Sequence, residues 1–202
     1  MEFLRKAAGR PSKLGILPGA FHPPTRAHLA LGRAALAEVD EVLFVLPRAF
    51  PHKHYEGVGL AERARLVAAA TAGEPRFSVA VSEGGLFIEM ARECRGAYGA
   101  GVELWFVCGR DAAERIVNWD YGRPGVVEEM LEEFGLLVAE RDGRYQPPRG
   151  LAGRIRHLRV GEDCSGVSAT EVRRRIAAGE AWEALVPEAI IDEVRRLYAG
   201  RH

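Results

Sequence analysis

The chain has 202 residues, 48% of them hydrophobic, enough for one domain with a substantial apolar core. Its 28 Lys and Arg balance 28 Asp and Glu, so no net field draws it to nucleic acid or to an anionic membrane, and any anion site has to be assembled locally. Residues 1–13 are polar and basic, unlike a secretory signal, and no run approaches the ~20 apolar residues of a membrane span, so a cytoplasmic location is expected.

Leu14-Gly15-Ile16-Leu17 is a short apolar run suited to a buried parallel strand, and residues 27–38 carry Leu29, Ala30, Leu31, Ala34, Ala35 and Leu36 at helical spacing. Between them lies Gly19-Ala20-Phe21-His22-Pro23-Pro24-Thr25-Arg26-Ala27-His28. Gly19 permits close backbone approach, Pro23 and Pro24 stiffen the turn, and Thr25 is a natural N-cap with His28 one turn later. The N–H groups and positive end of the helix dipole then face whatever lies beyond the strand, which suits an anion. The plain alternative is a structural turn that merely tolerates its histidines.

Residues 41–46 read as a second strand, followed by a loop, 47–59, that contains Pro51-His52-Lys53-His54-Tyr55. Residues 60–72 read as a helix with Leu60, Ala64, Val67 and Ala68 on one face and Glu62, Arg63 and Arg65 mainly on the other. Residues 77–81 alternate as a third strand, 86–94 form a short helix, and 102–108 make a strongly apolar fourth strand that runs into Gly109-Arg110-Asp111. A carboxylate there can accept from ribose hydroxyls, although Gly-Arg-Asp is also an ordinary helix start. Asn118-Trp119 follows about two turns on, the indole either stacking on a ligand ring or buried in the core. A helix over 125–134, a fifth strand over 136–139, a polar excursion over 140–150 and an alternating, half-exposed edge strand over 154–160 complete the alternation. Cys94, Cys108 and Cys164 are odd in number and far apart, which points to buried thiols, not to disulfides or zinc.

The last stretch is Gly166-Val167-Ser168-Ala169-Thr170-Glu171-Val172-Arg173. Ser168 with Glu171 three residues on is a capping box for a helix over 171–178, which accounts for both residues but not for Arg173. Hydroxyls, helix N–H groups and a guanidinium together make a competent phosphate site, whereas Arg174 and Arg175 read as a solvated face. Residues 188–198 read as a final helix.

Gly19-x-Phe21-x-Pro23-x-Thr25-x-x-His28 resembles the signature of the nucleotidylyltransferase superfamily, which carries His-x-x-His or Thr-x-x-His. His22 stands where that signature usually has Asn or Asp. The segment ending in Arg173 resembles the same superfamily's Ile-Ser-Ser-Thr-x-Ile-Arg, with Ala169 in place of the middle Ser. The chain is most similar to the nicotinamide or nicotinate mononucleotide adenylyltransferases, although their Tyr-Thr-x-x-Thr-Leu segment is replaced by Gly85-Leu86-Phe87-Ile88-Glu89-Met90. The resemblance implies a Rossmann-like α/β fold, a parallel sheet with helices on both faces and a small C-terminal helical segment. It implies one domain over 1–202, with a polar extension at 1–13 and a phosphate-binding helical segment at 166–202.

The resemblance also implies roles. Gly19, Ala20, Phe21 and His28 would hold the ATP phosphates, Gly109 and Asp111 the adenosine, and Ser168, Thr170 and Arg173 the leaving pyrophosphate, with His28, Thr25 and Arg173 as the catalytic set. Lys53 and Trp119 would meet the mononucleotide, and Mg2+ would bridge ATP phosphates with no metal site on the protein. No Ser-His-Asp set, catalytic Cys or Walker loop is present, so no covalent intermediate is called for. The implied partners are ATP and a pyridine mononucleotide, with neither nucleic acid nor membrane, and oligomeric state is left open. Two alternatives stand beside this: a relative acting on phosphopantetheine, a sugar phosphate or a polyol phosphate, and a nucleotide-binding protein without turnover.

Overall fold

Strands β1 (Glu2–Arg5), β2 (Lys13–Pro18), β3 (Glu41–Pro47), β4 (Phe77–Ser82), β5 (Glu103–Gly109), β6 (Gly135–Ala139) and β7 (Ile155–Leu158) form one sheet in the order β1-β4-β3-β2-β5-β6-β7. This is a computed structural model, and it describes residues 1–49, 57–139, 145–161, 164 and 166–199. Every pairing from β4 through to β7 is parallel, and β1 adds to the outer edge of β4 in the antiparallel sense. Helices α1 (Arg26–Ala35), α2 (Leu60–Ala70), α3 (Phe87–Tyr98), α4 (Arg110–Asn118) and α5 (Val126–Glu133) lie between strands along the chain, and α6 (Ala169–Ala178) and α7 (Ile191–Tyr198) follow β7.

Both faces of the sheet are covered, which is why its central strands are continuous apolar runs. Leu14, Ile16, Leu43, Val45, Leu104 and Phe106 join one cluster with Met90 and Ala91 of α3 and Leu131 of α5. The residues between them, Leu17, Val42, Phe44, Trp105 and Val107, join a second with Ala35 of α1 and Ala64 and Val67 of α2. Strand periodicity therefore splits one hydrophobic run between two cores. A third cluster unites Val172 of α6 and Val194 and Leu197 of α7 with Trp182, Val58 and Leu66. Through Leu66 on one side and Val67 on the other, α2 is clamped between the sheet and the C-terminal helices.

Two expectations change. Residues 2–5, read as part of a polar extension, are strand β1: Phe3 packs edge-on to Tyr98, and Arg5 Nη2 donates to Thr71 O at 2.7 Å. The third strand is β4, and all six of its residues are buried, between β1 and β3 in the sheet. Arg63 does not lie on the outer face of α2 but is only 6% exposed. Among the described residues no helix is long and apolar enough to cross a membrane. Cys94 and Cys108 are buried, and burial pushes each thiol up to about 12.

The chain places β2, β3 and β4 in succession to one side, then sets β5 against the other side of β2. Strand order reverses at that junction. A crevice outside the carboxyl ends of β2 and β5 is where an open parallel sheet takes its ligands.

Candidate active site

Two helices start at that crevice. β2 ends at Pro18 and hands over to the 19–25 loop and α1, while β5 ends at Gly109, which is itself the N-cap of α4. Because β2 and β5 are hydrogen-bonded neighbours, two positive helix ends stand side by side. The first turn of α1 contains no acidic residue, so no side-chain carboxylate on that turn offsets its dipole.

The 19–25 loop is held from several directions. Gly19 N donates to Val45 O at 3.0 Å. Phe21 has φ of +47°, a left-handed conformation unusual for a side chain of this size. Packing imposes it: the ring is 2% exposed, sits edge-on to His28 at 5.0 Å and tilts against Phe44 at 5.8 Å. A Cβ on Gly19 would come within 2.9 Å of that ring, so glycine is required here by Phe21 itself. The Phe21 side chain thus belongs to the core, and only its backbone remains for a nucleotide.

Thr25 and His28 form one unit. The Thr25 backbone N–H donates to His28 Nδ1 at 3.0 Å, and Thr25 Oγ1 lies 2.8 Å from the same nitrogen. An Nδ1 that accepts from an amide is unprotonated, so the neutral ring carries its proton on Nε2 and offers it as a donor. Thr25 itself is 0% exposed. Of the two roles open to it, holding the helix start or donating to phosphate, its burial favours the first, extended to orienting His28.

Arg63 was missed by the sequence reading. Its Nη1 donates to Ala20 O at 2.6 Å and its Nε to Val58 O at 3.2 Å, placing a buried guanidinium directly beneath the loop. Each such charge-assisted hydrogen bond contributes ~1.5–3 kcal/mol. The signal was available: 60, 63, 64 and 67 follow the i, i+3, i+4, i+7 spacing of one helix face, which puts Arg63 on the apolar stripe.

At α4, Gly109 has an unexceptional φ of −81° and open space where a Cβ would be, so neither backbone nor packing demands glycine. No side chain caps α4 there, and Asp111 is exposed on its first turn. Trp119 is the C-cap of α4 and is 48% exposed, which removes the buried-core alternative for it. Nine helical residues set it about 14 Å from Gly109.

At the third helix start, Ser168 Oγ accepts from Glu171 N at 3.1 Å, the cap expected of the box. The reciprocal half is absent, because Glu171 turns to Arg174 and Arg175 at 2.9 and 2.7 Å. Hydrogen bonds from those two side chains hold its carboxyl down at about 2. Arg173 points elsewhere: Nη1 donates to His22 O at 2.5 Å and Nη2 to Thr170 Oγ1 at 3.4 Å. One guanidinium therefore ties α6 to the 19–25 loop, and its five N–H donors leave capacity for an anion. Residue 22 also acquires a role, its Nδ1 lying 2.7 Å from Tyr198 Oη of α7. Lys53 lies outside the described residues.

A doubly wound parallel sheet with capped helix ends, an oriented histidine and an arginine gathered at its switch point defines a nucleotide-handling α/β protein. The cytidylyltransferase-like family model matches residues 16–175, and the chain belongs to that family. A protein of Moorella thermoacetica named "Probable nicotinate-nucleotide adenylyltransferase" is 30% identical, over 92% of this chain and 90% of its own length. One of the same name from Salinispora arenicola is 32% identical over 89% and 98%. Nicotinic acid mononucleotide adenylyltransferase of Plasmodium falciparum, solved in complex with NaAD, shares the fold with a TM-score of 0.70 at 15% identity, covering 91% of this chain and 95% of that one.

Proposed function

We propose that the protein is an adenylyltransferase that joins ATP to nicotinate mononucleotide, giving the dinucleotide and pyrophosphate. The observation that carries this reading is the pairing of two helix N-termini on adjacent strands, with His28 oriented by Thr25 on one and the open space of Gly109 on the other. Relatives bearing the nicotinate-nucleotide name at about 30% identity, over most of both chains, support the acceptor. We read residues 1–202 as a single domain, acting in the cytoplasm on two small-molecule substrates.

A mononucleotide 5′-phosphate has its second pKa near ~6, so it is largely a dianion at neutral pH and needs no general base. One of its oxygens attacks the α-phosphorus of ATP in line. The new P–O bond forms as the bond to the β-phosphate bridging oxygen breaks, and pyrophosphate leaves with that electron pair. The protein's work is positioning and charge stabilisation. His28 Nε2–H donates to the α-phosphate, where negative charge is redistributed, with Thr25 holding the ring at the required angle. Backbone groups of Gly19, Ala20 and Phe21 line the triphosphate, braced from below by Arg63. Gly109 and Asp111 receive the adenosine, the glycine leaving room and the carboxylate accepting from ribose hydroxyls. Ser168, Thr170 and Arg173 take the β,γ-phosphates, Ser168 using its O–H while its oxygen caps α6. Trp119, and Lys53 from the 47–59 loop, serve the mononucleotide.

Mg2+ would travel on ATP, where it would neutralise phosphate charge. The test is a panel in which purified protein and Mg2+ receive ATP or CTP with nicotinate mononucleotide, nicotinamide mononucleotide, phosphopantetheine or glycerol 3-phosphate. Dinucleotide and pyrophosphate from ATP and the nicotinate substrate are the expected products. Turnover with another acceptor alone would reassign the substrate, and no pyrophosphate from any pair would leave a binding protein.

A further inference from the structure

His22 is the position at which the phosphate loop departs from its usual Asn or Asp, and the mechanism above makes no use of its side chain. It is 7% exposed. Both C-terminal helices converge on it. From α6, Arg173 Nη1 donates to its carbonyl at 2.5 Å. From α7, Tyr198 Oη lies 2.7 Å from ring Nδ1, with the two rings tilted at 49° and 5.2 Å apart. Its Nε2 edge faces Gly57, whose φ is +98° and whose absent Cβ would lie 3.6 Å away. Because α6 and α7 share the apolar cluster of Val172, Val194 and Leu197, they are packed as one body. That body carries Ser168, Thr170 and Arg173 at one end, and two of its side chains meet the 19–25 loop at His22.

We infer that His22 and Tyr198 are a positioning pair that fixes the spacing between the two halves of the triphosphate site, α1 with His28 and α6 with Arg173. The inference rests on the adenylyltransferase reading for its kinetic readout. Arg173 reaches a backbone carbonyl that any residue would supply, so the side-chain specificity of the clamp lies in the imidazole–phenol contact. Neither ring is assigned a contact with substrate. Loss of the contact relaxes the spacing across ATP while leaving the mononucleotide end alone.

Tyr198→Phe is the sharpest test, because it removes one hydroxyl and keeps the ring packed beside the third cluster. Without the hydrogen bond to His22, kcat/KM for ATP should fall about 3- to 10-fold and the calorimetric Kd for MgATP should rise in step. KM for nicotinate mononucleotide should change by less than about twofold. In a His22→Asn background the same substitution should have a smaller effect than in the wild type, since the contact between the two rings is already gone. Unchanged ATP parameters in Tyr198→Phe would overturn the inference, as would additive effects of the two substitutions or equal losses for both substrates tracking a lower melting temperature. If His22→Asn does not fold, the split between ATP and mononucleotide in Tyr198→Phe decides alone. A wild-type protein that binds ATP but makes no dinucleotide would refute the acceptor, and the ATP Kd would still test the pair.

Discussion

Trp119→Ala separates a ligand-stacking indole from a structural one, and the exposure of the side chain sets the scale of each effect. Truncating a fully buried Trp costs ~3–5 kcal/mol. Here 48% of the residue is already in solvent, so the stability loss should be at most about half of that, ~1.5–2.5 kcal/mol. For a chain of this length, such a loss lowers Tm by roughly 3–10 °C. Stacking of a flat heterocycle on an aromatic side chain is worth ~1–3 kcal/mol, or about 5- to 150-fold in affinity. That loss should fall on one substrate. Trp119 ends α4 about 14 Å from Gly109, the end assigned to adenosine, so KM for nicotinate mononucleotide should rise while KM for ATP stays within about twofold. Trp119→Phe, which keeps a stacking face, should recover most of the affinity. Steady-state kinetics with both substrates varied, alongside thermal melts, read all of this. An unchanged mononucleotide KM, or proportionate increases in both KM values, would remove Trp119 from the site.

Other substitutions test the remaining assignments. His28→Ala should lower kcat by ~10²–10³, since it removes one preorganised donor, with a smaller cost in Tm because the Thr25 N–H loses its acceptor and Phe21 a ring contact; wild-type turnover in a folded variant would end that role. Arg173→Ala should weaken ATP and the reverse reaction with pyrophosphate, whereas Arg175→Ala, which breaks a half-buried pair with Glu171 at the surface, should leave kinetics intact; equal effects would mean a diffuse basic surface. Gly109→Ala should change stability by no more than ~1 kcal/mol, because φ is −81° and the Cβ meets nothing while alanine is a poorer N-cap than glycine, yet it should raise KM for ATP; an unaffected KM would place the nucleoside elsewhere. Thiol labelling of the native protein at pH 8 should spare Cys94 and Cys108, whose pKa values are pushed up to about 12, and reaction of either on the timescale of a free thiol would contradict their burial.

Features encoded locally were legible in the sequence. The run from residue 14 to 17 became β2, the helical spacing after Thr25 became α1, and Ser168 caps α6 by the bond its type predicts. Each depends on neighbours within about one helical turn or one strand. The switch point was legible only indirectly, because the two motifs announce their own strand–helix junctions but not that β5 lies beside β2. β1 was illegible for a different reason. Four residues with a half-exposed pattern carry too little periodicity to be read, and their strand conformation is imposed by the open edge of β4.

The contacts that hold the site in register span the chain. Arg63 reaches Ala20 across 43 residues, Arg173 reaches His22 across 151, and Tyr198 reaches the same His22 across 176. Periodicity can say that Arg63 sits on the apolar face of α2, but a buried guanidinium is tolerated there only if carbonyls are waiting, and those come from the loop before α1 and from Val58. The same dependence runs the other way. A loop that holds Phe21 at φ of +47° needs outside support to persist, and Arg63 under Ala20 and the C-terminal helices on His22 are that support. The phosphate motif supplies the donors, and distant residues supply the geometry that makes those donors converge on one ligand. Replacing His28 therefore tests the chemistry of the site, and replacing Tyr198 tests its construction.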